Sequence, residues 1–270
     1  MLISVRHITR YTYARTLSYS VQSLRMTPAT FEGQRVLDWT VTGPDGAFML
    51  PFRDSFGNPA YLMTLSGPLP EIAIIASGTV DTEDRNGVVK GLAEISPPRV
   101  YLRQTDHTQP DDAIHALASE ARKPGSLDTL HALSALVRER MTYKIGTTDA
   151  TTTAAGALRQ GSGVCQDFSH IIIAAARSLG IPARYVTGYL VDSTQTAEAH
   201  HAWMEGWVED LGWIAFDAVN AVCPTERYVR LACGLDANLA APIRGARRGG
   251  DEERLSVAVD VAHQTAQQQQ

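Results

Sequence analysis

The stretch from Val164 to Leu179, VCQDFSHIIIAAARSL, carries Phe168, Ile171, Ile172, Ile173, Ala174, Ala175, Ala176 and Leu179 and leaves almost no polar face. A helix that is apolar all round cannot lie on a surface. The segment is therefore predicted to be the central helix of its domain, covered by other elements on nearly every side. Its end is marked by Gly180 and Pro182, a helix stop, after which ARYVTGYL reads as a strand.

The start of this helix constrains chemistry as well as fold. Gly161-Ser162-Gly163 lets the chain turn sharply into the first turn, where Cys165 stands. First-turn N–H groups have no intrahelical partner, and the positive end of the helix dipole favours an anion beside them. A thiolate is a nucleophile, and the same N–H groups can hold the oxyanion of a tetrahedral intermediate. Free cysteine is also among the most buried residue types, so a small core side chain is the competing reading. A nucleophile needs a base, and a base needs something to orient it.

AHHAWMEGWVEDLGWIAFDAVN, residues 199–220, supplies both. Trp203, Glu205 and Trp207 alternate with Met204, Gly206 and Val208, and WIAFD after the Glu209–Gly212 turn forms a second short strand, so a hairpin is predicted. With an odd loop, for instance 209–211, His201 and Asp217 share a face, opposite or one diagonal apart, where a carboxylate can take the imidazole N–H. An even loop would part them. His200 is the rival to His201, but strand neighbours face opposite ways, so one of the two can meet the sulfur. The three tryptophans are read as hairpin core, Glu205 as a surface charge without a role, and His170 as a core or pocket-edge residue.

Upstream, residues 2–100 read as strands. Leu37, Trp39 and Val41, then Phe48, Leu50 and Phe52, then Tyr61, Met63 and Leu65, then Ile72, Ile74 and Ala76 repeat with a period of two between turn clusters. An antiparallel β domain with one wet face is predicted, ending where ISPPRVYLRQTDHTQPDD changes the pattern near Pro98–Thr108. Residues 113–122 and a segment capped by Ser126 have helical spacing, and a short helical turn follows at 154–158. The organisation expected is a β domain over 1–104, a core over 105–238, and a polar, loosely held tail over 239–270, where RGARRGGDEER and QTAQQQQ dominate. A net charge of −5 offers no basic footprint for nucleic acid. Three cysteines in 270 residues suit a reducing compartment, and no run approaches the ~18 apolar residues of a membrane span. The reading is cytoplasmic, with neither nucleic acid nor membrane as partner. Cys223 and Cys233 lack metal-ligand spacing, so no metal is expected, and no D-x-[DN]-x-[DN]-G loop points to calcium.

GSGVCQDFSHIIIAAARSLGIPARYVTGYL, HAWMEGWVEDLGWIAFD and DAVN together resemble the transglutaminase-like superfamily, with its papain-related core. YTYARTLSYSVQSLRMTP and DSFGNPAYLMTL resemble the β domain that precedes this core in many bacterial members. The resemblance implies an α+β fold, with an N-terminal antiparallel β domain followed by a nucleophile helix packed on an antiparallel sheet. It places the nucleophile on Cys165, the general base on His201 and the orienting acid on Asp217, with no cofactor and a peptide or protein as substrate. The family usually has a proline after that aspartate, where this chain has Ala218. Hydrolysis of a peptide or isopeptide through a thioester is the favoured activity. A transglutaminase or amidase using the same residues, and a non-enzymatic binding module of the same fold, are the alternatives.

Overall fold

A computed structural model of the protein describes residues 1–191 and 200–263. The chain begins with four strands, β1 (Leu2–Leu24), β2 (Gln34–Thr42), β3 (Phe48–Arg53) and β4 (Pro59–Thr82), followed by the two-residue β5 (Val88–Val89) and a 3-10 turn at Pro98–Leu102. Helices α1 (Asp112–Ala121) and α2 (Ser126–Arg140) follow. Next come β6 (Thr142–Tyr143), α3 (Ala154–Gln160), β7 (Ser162–Gly163) and the apolar helix α4 (Cys165–Ser178). Then come β8 (Ala183–Leu190), β9 (His200–Val208), β10 (Gly212–Phe216) and β11 (Tyr228–Gly234). A single helical turn, α5 (Ala237–Ala240), leads to β12 (Ile243–Gly249) and β13 (Glu253–His263).

Two antiparallel sheets organise the molecule. The first has the order β12-β1-β4-β2, with β13 also on β1 and β3 also on β4. The second has the order β11-β8-β9-β10-β5. An α+β architecture with a leading β domain is thus what the chain adopts. Helix α4 packs on β9 and β8, with α1, α2 and α3 around it. From Asp167 to Arg177 every residue of α4 is buried, as its composition demands.

Local chemistry explains the helix ends. Asp111 accepts the N–H of Ile114 at 3.1 Å and Thr153 that of Gly156 at 3.1 Å, so each caps the helix that follows it. Ser126, expected as a cap, is instead the first residue of α2; Gly125 holds the cap position, and the Thr129 hydroxyl returns to its carbonyl at 2.9 Å.

The sequence pattern breaks β4 at Pro68 and Pro70, yet the strand runs through both. Pro70 lies opposite the unpaired stretch of β1 between Thr12 and Leu17, and Pro68 lies at a second register shift between Leu17 and Tyr19. A missing N–H costs little where the ladder is already interrupted. Gly67 is required there: a Cβ would sit 1.8 Å from the Leu17 carbonyl oxygen.

The C-terminal segment overturns an expectation. Residues 243–249 and 253–263 are strands laid antiparallel along the two halves of β1, so up to His263 they complete the first sheet instead of trailing from the core. Gly and Arg dominate the composition of 243–254, and an edge ladder tolerates this because one face and one edge stay in water. Residues 264–270 of the expected tail lie outside the described residues. The second sheet also reaches back past the expected boundary: β5 pairs with β10 through Val88↔Ile214 and Val89↔Trp213.

The two sheets meet along β11. Ile3, Val5 and Val80 of the first pack with Tyr189, Val229 and Leu231 of the second. Beside this apolar contact, buried side-chain amides grip the free edge of β11 at two points. Gln34 accepts the N–H of Arg230 at 2.7 Å and donates to its carbonyl at 2.9 Å. Asn58 does the same for Cys233, at 2.9 and 2.8 Å.

Candidate active site

Cys165 is the first residue of α4, half-buried, with Val164 in the cap position. Valine has no capping oxygen, and Asp167 compensates by folding back, its Oδ2 accepting the Val164 N–H at 2.8 Å and the Thr148 hydroxyl at 2.7 Å. Burial holds the Asp167 carboxyl above its ordinary range, against these hydrogen bonds. Gly163 makes room for this contact, since a Cβ there would lie 2.4 Å from the same oxygen. Parallel pairing of Thr142 with Ser162 and Tyr143 with Gly163 ties down the approach to the helix. The sulfur is thus presented by a fixed turn at a helix head.

The hairpin has the three-residue connection 209–211. Gly212 pairs with Val208 and Phe216 with Met204, and the ladder places Asp217 opposite Trp203, one diagonal from His201. The His201 Nε2 and Asp217 Oδ2 are 2.7 Å apart. With Nε2 committed to Asp217, Nδ1 is the ring nitrogen left for the sulfur, and Cys165 lies close enough to help raise the His201 pKa. His200 faces the other way, its Nε2 2.9 Å from the Thr187 hydroxyl.

Asp217 has more partners than the histidine alone. Its Oδ1 accepts the backbone N–H groups of Val219 (2.9 Å) and Asn220 (3.2 Å), while Oδ2 also accepts from the Asn220 side-chain amide and the Tyr228 hydroxyl, both at 2.7 Å. Reciprocal backbone bonds between Asp217 and Val222, at 2.9 and 3.1 Å, close the loop that holds Asn220 in place. Burial pushes the Asp217 carboxyl up, but the His201 ring and these donors outweigh it and hold the group below its usual range. For His201, burial alone would lower the pKa; the hydrogen bond the ring donates to Asp217, its interaction with Cys165 and the charges of both instead push it up to about 10. Tyr228 and Asn220 carried no signal in the sequence analysis. Asn220 lies in the DAVN quoted there, three residues past the acid, but Tyr228 arrives from another strand.

Glu205 is not a surface charge. It is fully buried, its Oε2 2.5 Å from Arg184 Nε and its Oε1 2.8 Å from Arg230 Nε, and Arg184 reaches on to Glu94 at 3.0 Å. Burial would raise its carboxyl, but the two guanidiniums hold it down at about 2. The missed signal was a lone arginine in each of two otherwise apolar strands, ARYVTGYL and YVRLACG; a buried charge needs a partner. Trp203 and Trp213 are buried, and Trp207 stands edge-on to Trp213 at 5.3 Å, so these rings are hairpin core. His170 is buried, its Nε2 accepting the Ala237 N–H at 3.0 Å. All three cysteines are unbridged, with Cys223 half-buried and Cys233 buried. Among the described residues, no group of three or more His, Cys, Asp or Glu side chains is placed to hold a metal.

A thiol at a helix head and an imidazole backed by a buried acid are the groups a cysteine-dependent acyl transfer uses. Comparison with known proteins supplies the family. Residues 114–218 match the transglutaminase-like superfamily, and residues 3–81 match the bacterial transglutaminase-like N-terminal region. The chain belongs to the transglutaminase-like superfamily.

An uncharacterised protein of Mycobacterium leprae is 29% identical over 272 residues, covering 95% of this chain and 97% of its own. A protein-glutamine gamma-glutamyltransferase of Pseudomonas aeruginosa is 31% identical over 105 residues, which are 36% of this chain and 14% of that one. Among solved structures, a protein of Cytophaga hutchinsonii provisionally assigned as a cysteine protease superposes with a TM-score of 0.76 at 22% identity. That match covers 97% of this chain and 90% of the other, and it shows the same fold. No helix among the described residues is long and apolar enough to cross a membrane.

Proposed function

We propose that the protein is a cysteine-nucleophile enzyme acting on amide bonds, with hydrolysis of a peptide or isopeptide as its reaction. The observation that carries this reading is the buried His201 ring, bonded to Asp217 through Nε2 at 2.7 Å and lying close enough to the helix-head thiol of Cys165 for the two to interact. Cys165 is the nucleophile, His201 the acid and base, and Asp217 the group that fixes the ring's tautomer and steadies its charge.

In the first half-reaction the Cys165 thiol gives its proton to His201 as the sulfur attacks the carbonyl carbon, and the developing oxyanion is held by first-turn N–H groups of α4, that of Cys165 among them. Collapse breaks the C–N bond as His201 gives its proton to the leaving amine, and a thioester remains. In the second, His201 takes a proton from water as the oxygen attacks the thioester. Collapse of this second intermediate breaks the C–S bond, the carboxylic acid leaves, and the proton on His201 returns to the sulfur.

The Pseudomonas relative, a gamma-glutamyltransferase by name, supports a second reading in which an amine replaces that water. Glutaminyl and lysyl-isopeptide substrates, offered with and without a primary amine, separate the two. Release of ammonia or free lysine without amine incorporation supports the hydrolase, and an amine-linked product replaces it with the transferase. No turnover by wild type of any amide substrate, together with Cys165 alkylation no faster than that of Cys223, would sink both. The three unbridged cysteines favour a reducing, cytoplasmic setting for this thiol chemistry.

A further inference from the structure

The β domain does more to β11 than pack against it. Tyr228, whose hydroxyl donates to Asp217, is bracketed by two buried β-domain side chains. Two residues before it, the Thr82 hydroxyl donates to the Glu226 carbonyl; two residues after it, Gln34 makes its double bond to Arg230. Thr82 closes β4 and Gln34 opens β2, two strands that pair in register there as Gln34↔Thr82. One pair of neighbouring β-domain residues thus fixes the backbone on both sides of the tyrosine, at Glu226 just before β11 and at Arg230 within it.

Docking alone does not require this arrangement. The apolar contact of Ile3, Val5 and Val80 with Tyr189, Val229 and Leu231 already joins the sheets. The grip by Asn58 lies five residues from Tyr228, at Cys233, and serves as an internal control: the same double amide bond, equally buried, without a line to the acid.

We infer that the β domain positions the acid of the site: Gln34 and Thr82 hold β11 so that the Tyr228 hydroxyl meets Asp217, making Tyr228 a positioning residue for the reaction. The inference rests on the reading of Asp217 as the orienting acid. Around that carboxylate, His201 comes from β9, Cys165 acts through it from α4, Asn220 comes from the adjoining loop, and the Arg227 charge acts on Tyr228. Removing the tyrosine hydroxyl takes away one donor and the strand's hold on the carboxylate together. The acid then protonates more readily, and the ring is held less well.

The test compares Tyr228→Phe, Gln34→Leu, Asn58→Leu and the double variant Tyr228→Phe/Gln34→Leu in the full chain. Each is checked for folding by thermal unfolding, then read by the pH profile of iodoacetamide labelling at Cys165 and by kcat and KM. Tyr228→Phe is expected to cut kcat about tenfold or more, the scale of a hydrogen bond to a charged group, with KM little changed. It should also move the acid limb of the labelling profile to higher pH. Gln34→Leu should reproduce part of that movement and add nothing to it in the double variant. Asn58→Leu should lower the unfolding temperature comparably while leaving the profile in place. Thr82→Val stands in for Gln34→Leu should the latter fail to fold.

A Tyr228→Phe profile superimposed on wild type, or Gln34→Leu and Asn58→Leu behaving alike, overturns the inference while leaving the reading of the site intact. Wild-type Cys165 that labels no faster than Cys233, or that is indifferent to His201→Ala, overturns that reading and the inference with it.

Discussion

Two buried carboxylates stand on neighbouring strands of the core sheet, and their partners set them apart. Glu205 on β9 is held between Arg184 and Arg230, cations that keep their charge at any working pH. Asp217, just past β10, is held by His201, Tyr228 and Asn220, of which the first can take up and release a proton. Both acids are kept ionised against their burial. A buried anion with fixed partners is a strut, with nothing to exchange. A buried anion whose partner titrates can pass the consequences of its charge to a third group, here the Cys165 thiol that interacts with the same ring.

The sharpest way to break this contrast is to remove the ring or the sulfur. His201→Ala and Cys165→Ala are each expected to lower kcat/KM for amide turnover by about 1000-fold or more, because groups that act as a unit fail together. Unfolding temperature should shift far less than activity. Retention of more than a tenth of the turnover by either variant, assayed on the substrate wild type prefers, would refute the assignment.

Glu205→Ala should show the opposite profile. It leaves two guanidiniums buried in like-charge proximity, a loss on the order of 3–5 kcal/mol. At roughly 2–4 °C per kcal/mol for a chain of this size, the unfolding temperature should fall by about 10 °C. Below that transition, Cys165 labelling should keep the wild-type rate and pH profile. A changed profile with unchanged stability would mean that the strut belongs to the chemistry after all.

How legible these two acids were in the sequence follows from where their partners lie. His201 and Asp217 belong to one hairpin, so the period of two and a three-residue loop were enough to put them on one face. The Glu205 partners are one and two strands away, and period-two reading carries no information on which strand neighbours which. The same limit hid Tyr228, delivered by β11 on the far side of β8. Helix α4 was readable because its composition leaves a single solution, full burial. The strands 243–249 and 253–263 were not, even though Leu255, Val257, Val259 and Val261 alternate in the second, because glycines and arginines outweighed the pattern. Edge position is a tertiary property, and it makes a polar strand affordable.

pH separates the acids more finely. The His201 pKa lies at about 10 in the folded protein, above its ordinary 6.5. Between those values the native state holds a proton that the unfolded chain has released, so this contribution to stability is complete below pH 6.5 and is lost as pH rises through about 10. The stability difference between wild type and His201→Gln should therefore shrink steadily from pH 7 to 10. That between wild type and Glu205→Gln should stay flat there, because Glu205 is lowered to about 2 and its contribution fades only in strong acid. Paired denaturant titrations at three pH values would show it, and parallel lines for the two variants would dissolve the distinction.

The smallest expected effect comes from a third carboxylate with the same chemistry and none of the burial. Glu71 meets Arg10 at 2.7 Å, as close as the interior pairs, yet both side chains are nearly half exposed. Water already solvates each charge, so bringing them together replaces strong hydration with a screened attraction and immobilises two long side chains. Glu71→Gln should change stability by less than about 1 kcal/mol, and raising salt from 0.05 to about 0.5 M should erase even that. Glu205→Gln under the same salt should keep its full cost, since ions do not reach a pair sealed between a sheet and the rings of Tyr101 and Trp213. If salt relieved both variants alike, burial would not be what gives Glu205 its weight, and the division between strut and responsive acid would have to rest on partner identity alone.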